Sequence, residues 1–396
     1  MRTLRQIAAL ITFNIRTLRG RLGSASAAVF GIAGVVAVLV GVLSIGEGFR
    51  RVMVVEGSPD TALVLRSGAD NEMSSVLGRN DVDIIRDAPG VARDREGKPL
   101  MSPELFVIVD LPKRSTQTPA NVPLRGVQQG AFAIRPEVKI IEGRLFGWGK
   151  NEVIVGRGAH AEFGGTEVGS ELRFGTNVWK VVGIFEANGS ISESELWSDA
   201  AVLGPAYQRA ASHSIVIAKL ASAGTFQQFK DALTTNPSLS VQVQSETEYY
   251  ESQSRTLRQL VTGLAFIVCS LMGLGAIFGA LNTMYTAVAA RAREIATLEA
   301  LGFGGFAVMM SVIFEALLLA LTGGILGAVL AYLAFDGYRA ATMNWQTFSQ
   351  VAFAFDVTPR LMMWAAIYAL LIGLIGGFFP AIRAARMPVA MALRAR

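Results

Sequence analysis

The stretch Gln259-LVTGLAFIVCSLMGLGAIFGALNTMYTAVA-Ala290 runs from residue 259 to residue 290 without an Asp, Glu, Lys or Arg. A bilayer core about 30 Å thick takes roughly 20 apolar residues in a helix, so this run is long enough to cross one. Three other segments meet the same requirement: Ala25 to Ile45, about Phe306 to Phe335, and about Leu361 to Phe379. Only the third of the four contains an interior charge, Glu315. The spans are therefore expected at 24–46, 259–290, 306–335 and 361–380.

Composition agrees with a membrane class. The 396 residues are 52% hydrophobic and 17% charged, with a mean hydropathy of +0.42, too apolar for an ordinary soluble globule. The apolar residues are concentrated, and the segment 47–255 reads as mixed polar sequence that works in water. The chain is basic, with a pI near 9.5, yet the Arg residues that stand out flank the apolar runs. There they act as topology signals, and no nucleic-acid partner is expected. The single cysteine, Cys269, lies inside an apolar run, so the polar domain is held by its own core rather than by a disulfide.

Orientation follows from the flanks. Arg2, Arg5, Arg16, Arg19 and Arg21 precede the first span; Arg291 and Arg293 lie between the second and third; Arg383, Arg386, Arg394 and Arg396 follow the fourth. All fall on one side. The connection between spans three and four, about Asp336 to Thr358, reads as a short loop carrying only Arg339. Both termini are expected in the cytoplasm and the large insertion outside, although Arg50 and Arg51 run against the bias. An N-terminal signal peptide is the competing reading of the first span, but Ser44-Ile45-Gly46-Glu47 is no small-x-small cleavage site, and an uncleaved anchor is expected. Ahead of it, Leu4, Ile7, Ala8, Ile11, Ile15, Leu18 and Leu22 recur at helical spacing, which predicts a cytoplasmic amphipathic helix over 1–23, on the membrane surface or packed on a partner.

In the outer segment, Thr61–Leu65, Leu105–Val109, Glu152–Val155, Val178–Ile184 and Ser214–Ile217 read as strands separated by Gly and Pro signals. The fold class expected is a four-helix transmembrane protein with an inserted α+β extracytoplasmic domain, including a smaller, split βαβ-like subdomain at about 214–245. Ser245 and Glu248 form an S-x-x-E capping box, and no Gly or Pro follows until Gly263. A helix continued from there to Ala290 is about 68 Å long at 1.5 Å per residue, longer than a bilayer is thick.

Catalytic patterns are absent from this sequence. There is no G-x-x-x-x-G-K-[ST], no H-E-x-x-H and no G-x-S-x-G, and the only histidines are His160 and His213. Neither a phosphate cradle nor a metal site is expected in the chain, and the scattered carboxylates of the outer domain read as a solvated face.

Between spans two and three the chain reads Arg291-Ala-Arg-Glu-Ile-Ala-Thr-Leu-Glu-Ala-Leu-Gly302, followed by Phe314-Glu315-Ala316 and Gly323-Gly324-Ile-Leu-Gly327. It closes on Pro380-Ala-Ile-Arg-Ala-Ala-Arg-Met-Pro-Val-Ala-Met-Ala-Leu-Arg394, and the outer segment holds Glu142-Gly143-Arg144, Glu152-Val-Ile-Val-Gly156 and Val181-Val-Gly-Ile-Phe185. These motifs, in this order, resemble the FtsX/MacB-type ABC transporter permeases: a MacB-like periplasmic domain (47–255) ahead of an FtsX-like domain (256–396). Glu299 stands where the family commonly has Arg, and Ala390–Met391 lacks the usual acidic residue.

The resemblance implies a permease subunit, not itself an enzyme, in the bacterial inner membrane. ATP and Mg sit on a separate ABC ATPase subunit, and this chain binds no cofactor. Further implied partners are a second permease copy, expected to make a homodimer, a periplasmic adaptor and an outer-membrane protein. Nucleotide-driven motion would pass outward to export an amphipathic substrate. A lipoprotein or lipid extractor of the LolC/LolE kind, a regulator of a periplasmic partner, and a non-transporting scaffold remain as alternatives. Arg291, Arg293, Glu294, Ile295, Leu298 and Gly302 are the expected ATPase-coupling residues, with Ile295, Leu298 and Leu301 available to fill a partner's groove; a simple turn anchored by positive-inside charges is the plainer reading. Glu315 is expected to make structural hydrogen bonds near the cytoplasmic end. Gly275/Gly279, Gly323/Gly327 and Gly373/Gly377 are three small-xxx-small pairs that permit close helix approach.

Overall fold

The computed structural model describes residues 6, 7, 10, 22–54, 57–344 and 346–388. Most of the expected surface helix 1–23, and the tail from residue 389 including Ala390–Met391, lie outside them. The chain divides into two compact units: residues 1–47, 260–338 and 355–396 form one, and residues 48–259 and 339–354 the other.

The first unit is a helical bundle. Its elements are α1 (Leu22–Val54) as far as residue 47, α2 (Glu246–Ala290) from residue 260, α3 (Ala292–Ala300), α4 (Gly305–Phe335) and α5 (Pro359–Ala385). Among the described residues, four helices, all but α3, are long and apolar enough to cross a membrane. The capping signals act as read: the Ser245 hydroxyl accepts from the Glu248 amide at 3.2 Å, and α2 then runs 45 residues without a break. Thr358 caps α5 by accepting from the Leu361 amide, with Pro359 in the first turn where its missing N–H costs nothing. One end of the bundle packs Met284, Val288, Val308, Val312 and Ala381, with Leu10 buried among them and Ile7 against them. The other end packs Ile32, Val36, Val40, Ala320, Ala369 and Ile372.

The second unit is built on strands β1 (Thr61–Arg66), β2 (Leu77–Gly78), β3 (Met101–Pro112), β4 (Pro119–Val127), β5 (Lys139–Gly143), β6 (Glu152–Gly156), β7 (Glu171–Phe174), β8 (Asn177–Glu186), β9 (Leu196–Asp199), β10 (Ser212–His213), β11 (Ile215–Lys219), β12 (Val241–Ser245), β13 (Arg339–Asn344) and β14 (Ser349–Ala354). Each of the five stretches read as strands lies in or overlaps one of these. Nine strands run in the order β12-β1-β11-β3-β4-β9-β6-β8-β5, with β7 added on β8. Most pairs are antiparallel, while β4–β9 and β6–β8 are parallel. One core gathers on β1, β11 and β12 with the helices Arg79–Arg86 and Phe226–Thr234; others gather on β3, β4, β6, β8 and β9.

Two features go beyond the sequence reading. The split βαβ-like unit expected at 214–245 has β1 as its intervening strand: β11 and β12 both pair antiparallel with β1, which lies between them. Two strands joined by a helical crossover run parallel, and β1, from far earlier in the chain, supplies the antiparallel partner each one needs. The supposed loop 336–358 is largely a hairpin, β13–β14, in register from Arg339/Ala354 to Asn344/Ser349. It belongs to the strand-built unit: the Ala352 amide donates to Ser194 Oγ at 3.0 Å, Asn121 donates to the Phe348 carbonyl at 2.8 Å, and Phe353 meets Phe49 edge to face.

Candidate functional site

α3 connects spans two and three. A break at Arg291 (φ −105°, ψ 10°) ends α2, and a Schellman cap ends α3: the Phe303 amide donates to the Leu298 carbonyl and the Gly302 amide to that of Glu299. Gly302 sits at φ +92°, the left-handed position that favours glycine, so its place in the motif has a conformational cause. Apolar residues turn inward. Ile295 is buried and Leu298 packs beside it against the bundle core. This corrects the expectation that both are available to a partner, because a short helix lying on a bundle spends its apolar stripe on that bundle. The exposed residues are Arg293, Glu294, Thr297, Ala300 and Leu301, and Leu301 alone of the three anchor candidates is open, at 73% exposed. Glu299 is half-buried, and burial pushes its carboxyl up.

Arg291, expected on the coupling surface, is instead buried. Its Nη1 donates to Glu315 Oε2 at 2.6 Å, and its Nε lies 3.5 Å from Glu294 Oε2. A carboxylate in a membrane helix is costly unless a counter-charge meets it, and 24 residues separate this one from its counter-charge. The glycine pairs differ in use. A Cβ on Gly323 would come to 2.8 Å from the Val29 carbonyl of α1, and one on Gly327 would strike Ala33 and Val36. Gly373 and Gly377 of α5 leave room for Ala316 and Ala320 of α4. Gly275 and Gly279 meet no described atom within 4 Å; α2 packs on α5 through another face, where Tyr368 donates to the Cys269 carbonyl at 2.6 Å.

The outer unit contains a buried charge cluster that the sequence reading missed. Arg125, 2% exposed, makes five hydrogen bonds, one for each guanidinium N–H: Nη1 to Glu72 (2.7 Å) and Glu104 (2.9 Å), Nη2 to Glu72 (3.1 Å) and Glu195 (2.8 Å), and Nε to Glu195 (2.7 Å). Arg135 donates to the other Glu104 oxygen at 2.7 Å, and Trp197 Nε1 to Glu195 at 2.7 Å. All three carboxylates are at most 4% exposed, so the reading of scattered acids as a solvated face is wrong for these. Burial pushes the Glu72 carboxyl up; at Glu104 burial acts the same way but the Arg135 and Arg125 guanidiniums outweigh it, leaving that carboxyl lowered. The positions are scattered from 72 to 195, so only a hydrophobic strand with a charge in it, such as Val122-Pro-Leu-Arg125-Gly-Val127, offered a signal.

Three motifs quoted from the outer segment meet in space. Gly143 (φ +74°) lets β5 lie tight on β8, where a Cβ would come to 2.9 Å from Gly183 Cα. Next to it, Arg144 grips Glu152 through two 2.7 Å hydrogen bonds and holds that carboxyl down at about 2.

Comparison with known proteins finds two family matches along the chain. Residues 25–236 match the MacB-like periplasmic core domain, and residues 266–389 the FtsX-like permease C-terminal domain. A macrolide export ATP-binding/permease protein MacB of Nitrosomonas europaea is 26% identical over 386 residues, covering 91% of this chain and 55% of that protein. A pyoverdine export ATP-binding/permease protein of Pseudomonas entomophila is 25% identical over 387 residues, covering 91% and 56%. The chain thus spans about half the length of these relatives. The crystal structure of the periplasmic region of MacB from Actinobacillus actinomycetemcomitans aligns with 53% of this chain and 95% of its own at a TM-score of 0.37 and 12% identity. With the periplasmic-core match covering more than half of its residues and the permease match following it, the chain belongs to the FtsX/MacB-type family of ABC transporter permeases.

Proposed function

We propose that this chain is the permease subunit of an ATP-driven exporter in a bacterial inner membrane, and that it carries nucleotide-driven motion outward to the periplasmic domain. The observation that carries the reading is α2, one unbroken helix from Glu246 to Ala290. It follows directly on a strand of the outer sheet and ends one residue before the coupling helix α3. A continuous helix transmits displacement along its axis, whereas a loop would absorb it. The 31% of the chain that matches the FtsX-like permease domain holds no phosphate-binding loop; in this reading Mg-bound ATP is hydrolysed on a separate ABC ATPase subunit.

In this reading both termini are cytoplasmic, a second copy completes a homodimer, and an amphipathic substrate passes to a periplasmic adaptor and an outer-membrane protein. The names of the relatives, which export a macrolide or pyoverdine, favour export over lipoprotein extraction. Arg293 and Glu294, exposed on α3, are the residues that orient the ATPase contact, with Leu301 as the apolar anchor. Affinity purification in mild detergent tests this. An ABC ATPase should co-purify, and Arg293→Ala with Glu294→Ala should lower ATP hydrolysis by the complex about tenfold or more while the permease stays folded. A permease that comes down with no ATPase would sink the proposal.

A further inference from the structure

The segment 69–75, between β1 and β2, makes contacts out of proportion to its length. Gln253, on the first turns of α2, donates to the Asp70 carbonyl at 3.3 Å. On another side Asn71 donates to the Gln346 carbonyl, at the turn of the β13–β14 hairpin, at 3.0 Å. Inward, Glu72 takes two hydrogen bonds from Arg125 in the strand β4. The two outer contacts go to elements of special standing in the chain. One begins the helix whose remainder is span two, and the other is the connection between spans three and four.

We propose that residues 69–75 form a joint that clamps the α2 end and the hairpin to the outer sheet, with Glu72 as the positioning residue that fixes it to Arg125. The joint makes displacements of spans two, three and four arrive at the sheet together. Charge-assisted, fully buried hydrogen bonds suit this task because they are directional and stiff. This rests on the motion-transmitting reading above and names the residues on which transmission converges.

Hydrogen exchange on the full chain in detergent separates the contributions. Glu72→Gln keeps the shape and removes the charge; it should raise amide exchange about tenfold or more in both 246–253 and 339–354, while β6 and β8 stay protected. Asn71→Ala should loosen the hairpin alone, and Gln253→Ala the helix end alone. A rise spread equally over β6 and β8, or a rise in only one element for Glu72→Gln, overturns the joint. A second arm adds ATP and vanadate to the complex with its ATPase: the two elements should change together in the wild type and independently in Glu72→Gln. A wild-type response that persists unaltered in Glu72→Gln overturns the joint alone. A wild-type complex that ignores nucleotide in both elements overturns transmission itself, and with it the proposed function.

Discussion

Removing the Glu315 carboxylate takes the 2.6 Å counter-charge from a guanidinium that is itself 5% exposed. Breaking a buried pair from one side costs about 3–5 kcal/mol, while replacing both members by apolar residues of similar volume is often neutral. Glu315→Ala should therefore lower the unfolding temperature in detergent sharply, and the double variant Arg291→Met, Glu315→Met should recover most of the loss. A double variant no better than the single one would show that the pair does more than neutralise itself. Glu152 gives a pH-dependent counterpart. Its carboxyl titrates at about 2 in the fold and near 4.3 in an unfolded chain, so the folded state binds fewer protons. The stabilisation is present above about pH 4.5 and is lost as pH falls toward 2. Wild type and Glu152→Gln should differ in thermal midpoint at pH 6, with the gap narrowing below about pH 4.5 and closing as pH approaches 2; a gap that does not narrow refutes the Arg144 pairing. Neither pair is visible as a pair in sequence. The Glu315 charge was flagged by its setting in a hydrocarbon helix, but the identity of Arg291 as its partner needed the bundle.

At the scale of elements, the glycine pairs divide by what lies opposite them. A valine at position 373 would drive its Cβ into Ala320 and the Ala316 carbonyl, forcing α4 and α5 apart where cores tolerate little overpacking. Gly373→Val should abolish the folded protein recovered from membranes. Gly279→Val adds its methyls where no described atom stands within 4 Å, so the folded monomer should survive. Its dimer fraction, read by detergent-corrected light scattering, should fall if the span-two glycine face meets the second copy; an unchanged dimer would place that interface elsewhere. The sequence shows all three pairs as the same small-xxx-small pattern, and helical spacing alone carries no information about which faces are occupied. The hairpin β13–β14 escaped for a related reason. Its buried side chains Ser349, Val351 and Phe353 alternate over only six residues, among alanines that fit a loop as readily.

For the whole molecule, the order of one span, a strand-built domain and three spans was legible, because hydrocarbon thickness imposes a length on each apolar run. The capping box at Ser245 and the absence of breakers likewise announced the continuous helix to Ala290, since those are properties of neighbours in the chain. Motif order carried the family for the same reason. What the tertiary structure decided was every pairing over a long separation: β1 lying between β11 and β12, the hairpin joined to the outer unit, Arg291 turned in to Glu315, and Glu72, Glu104 and Glu195 gathered round Arg125. Periodicity, capping and hydropathy are local sums that a sequence contains outright. Burial of a charge is favourable only where a partner arrives from elsewhere in the chain, and that arrival is a property of the folded arrangement alone.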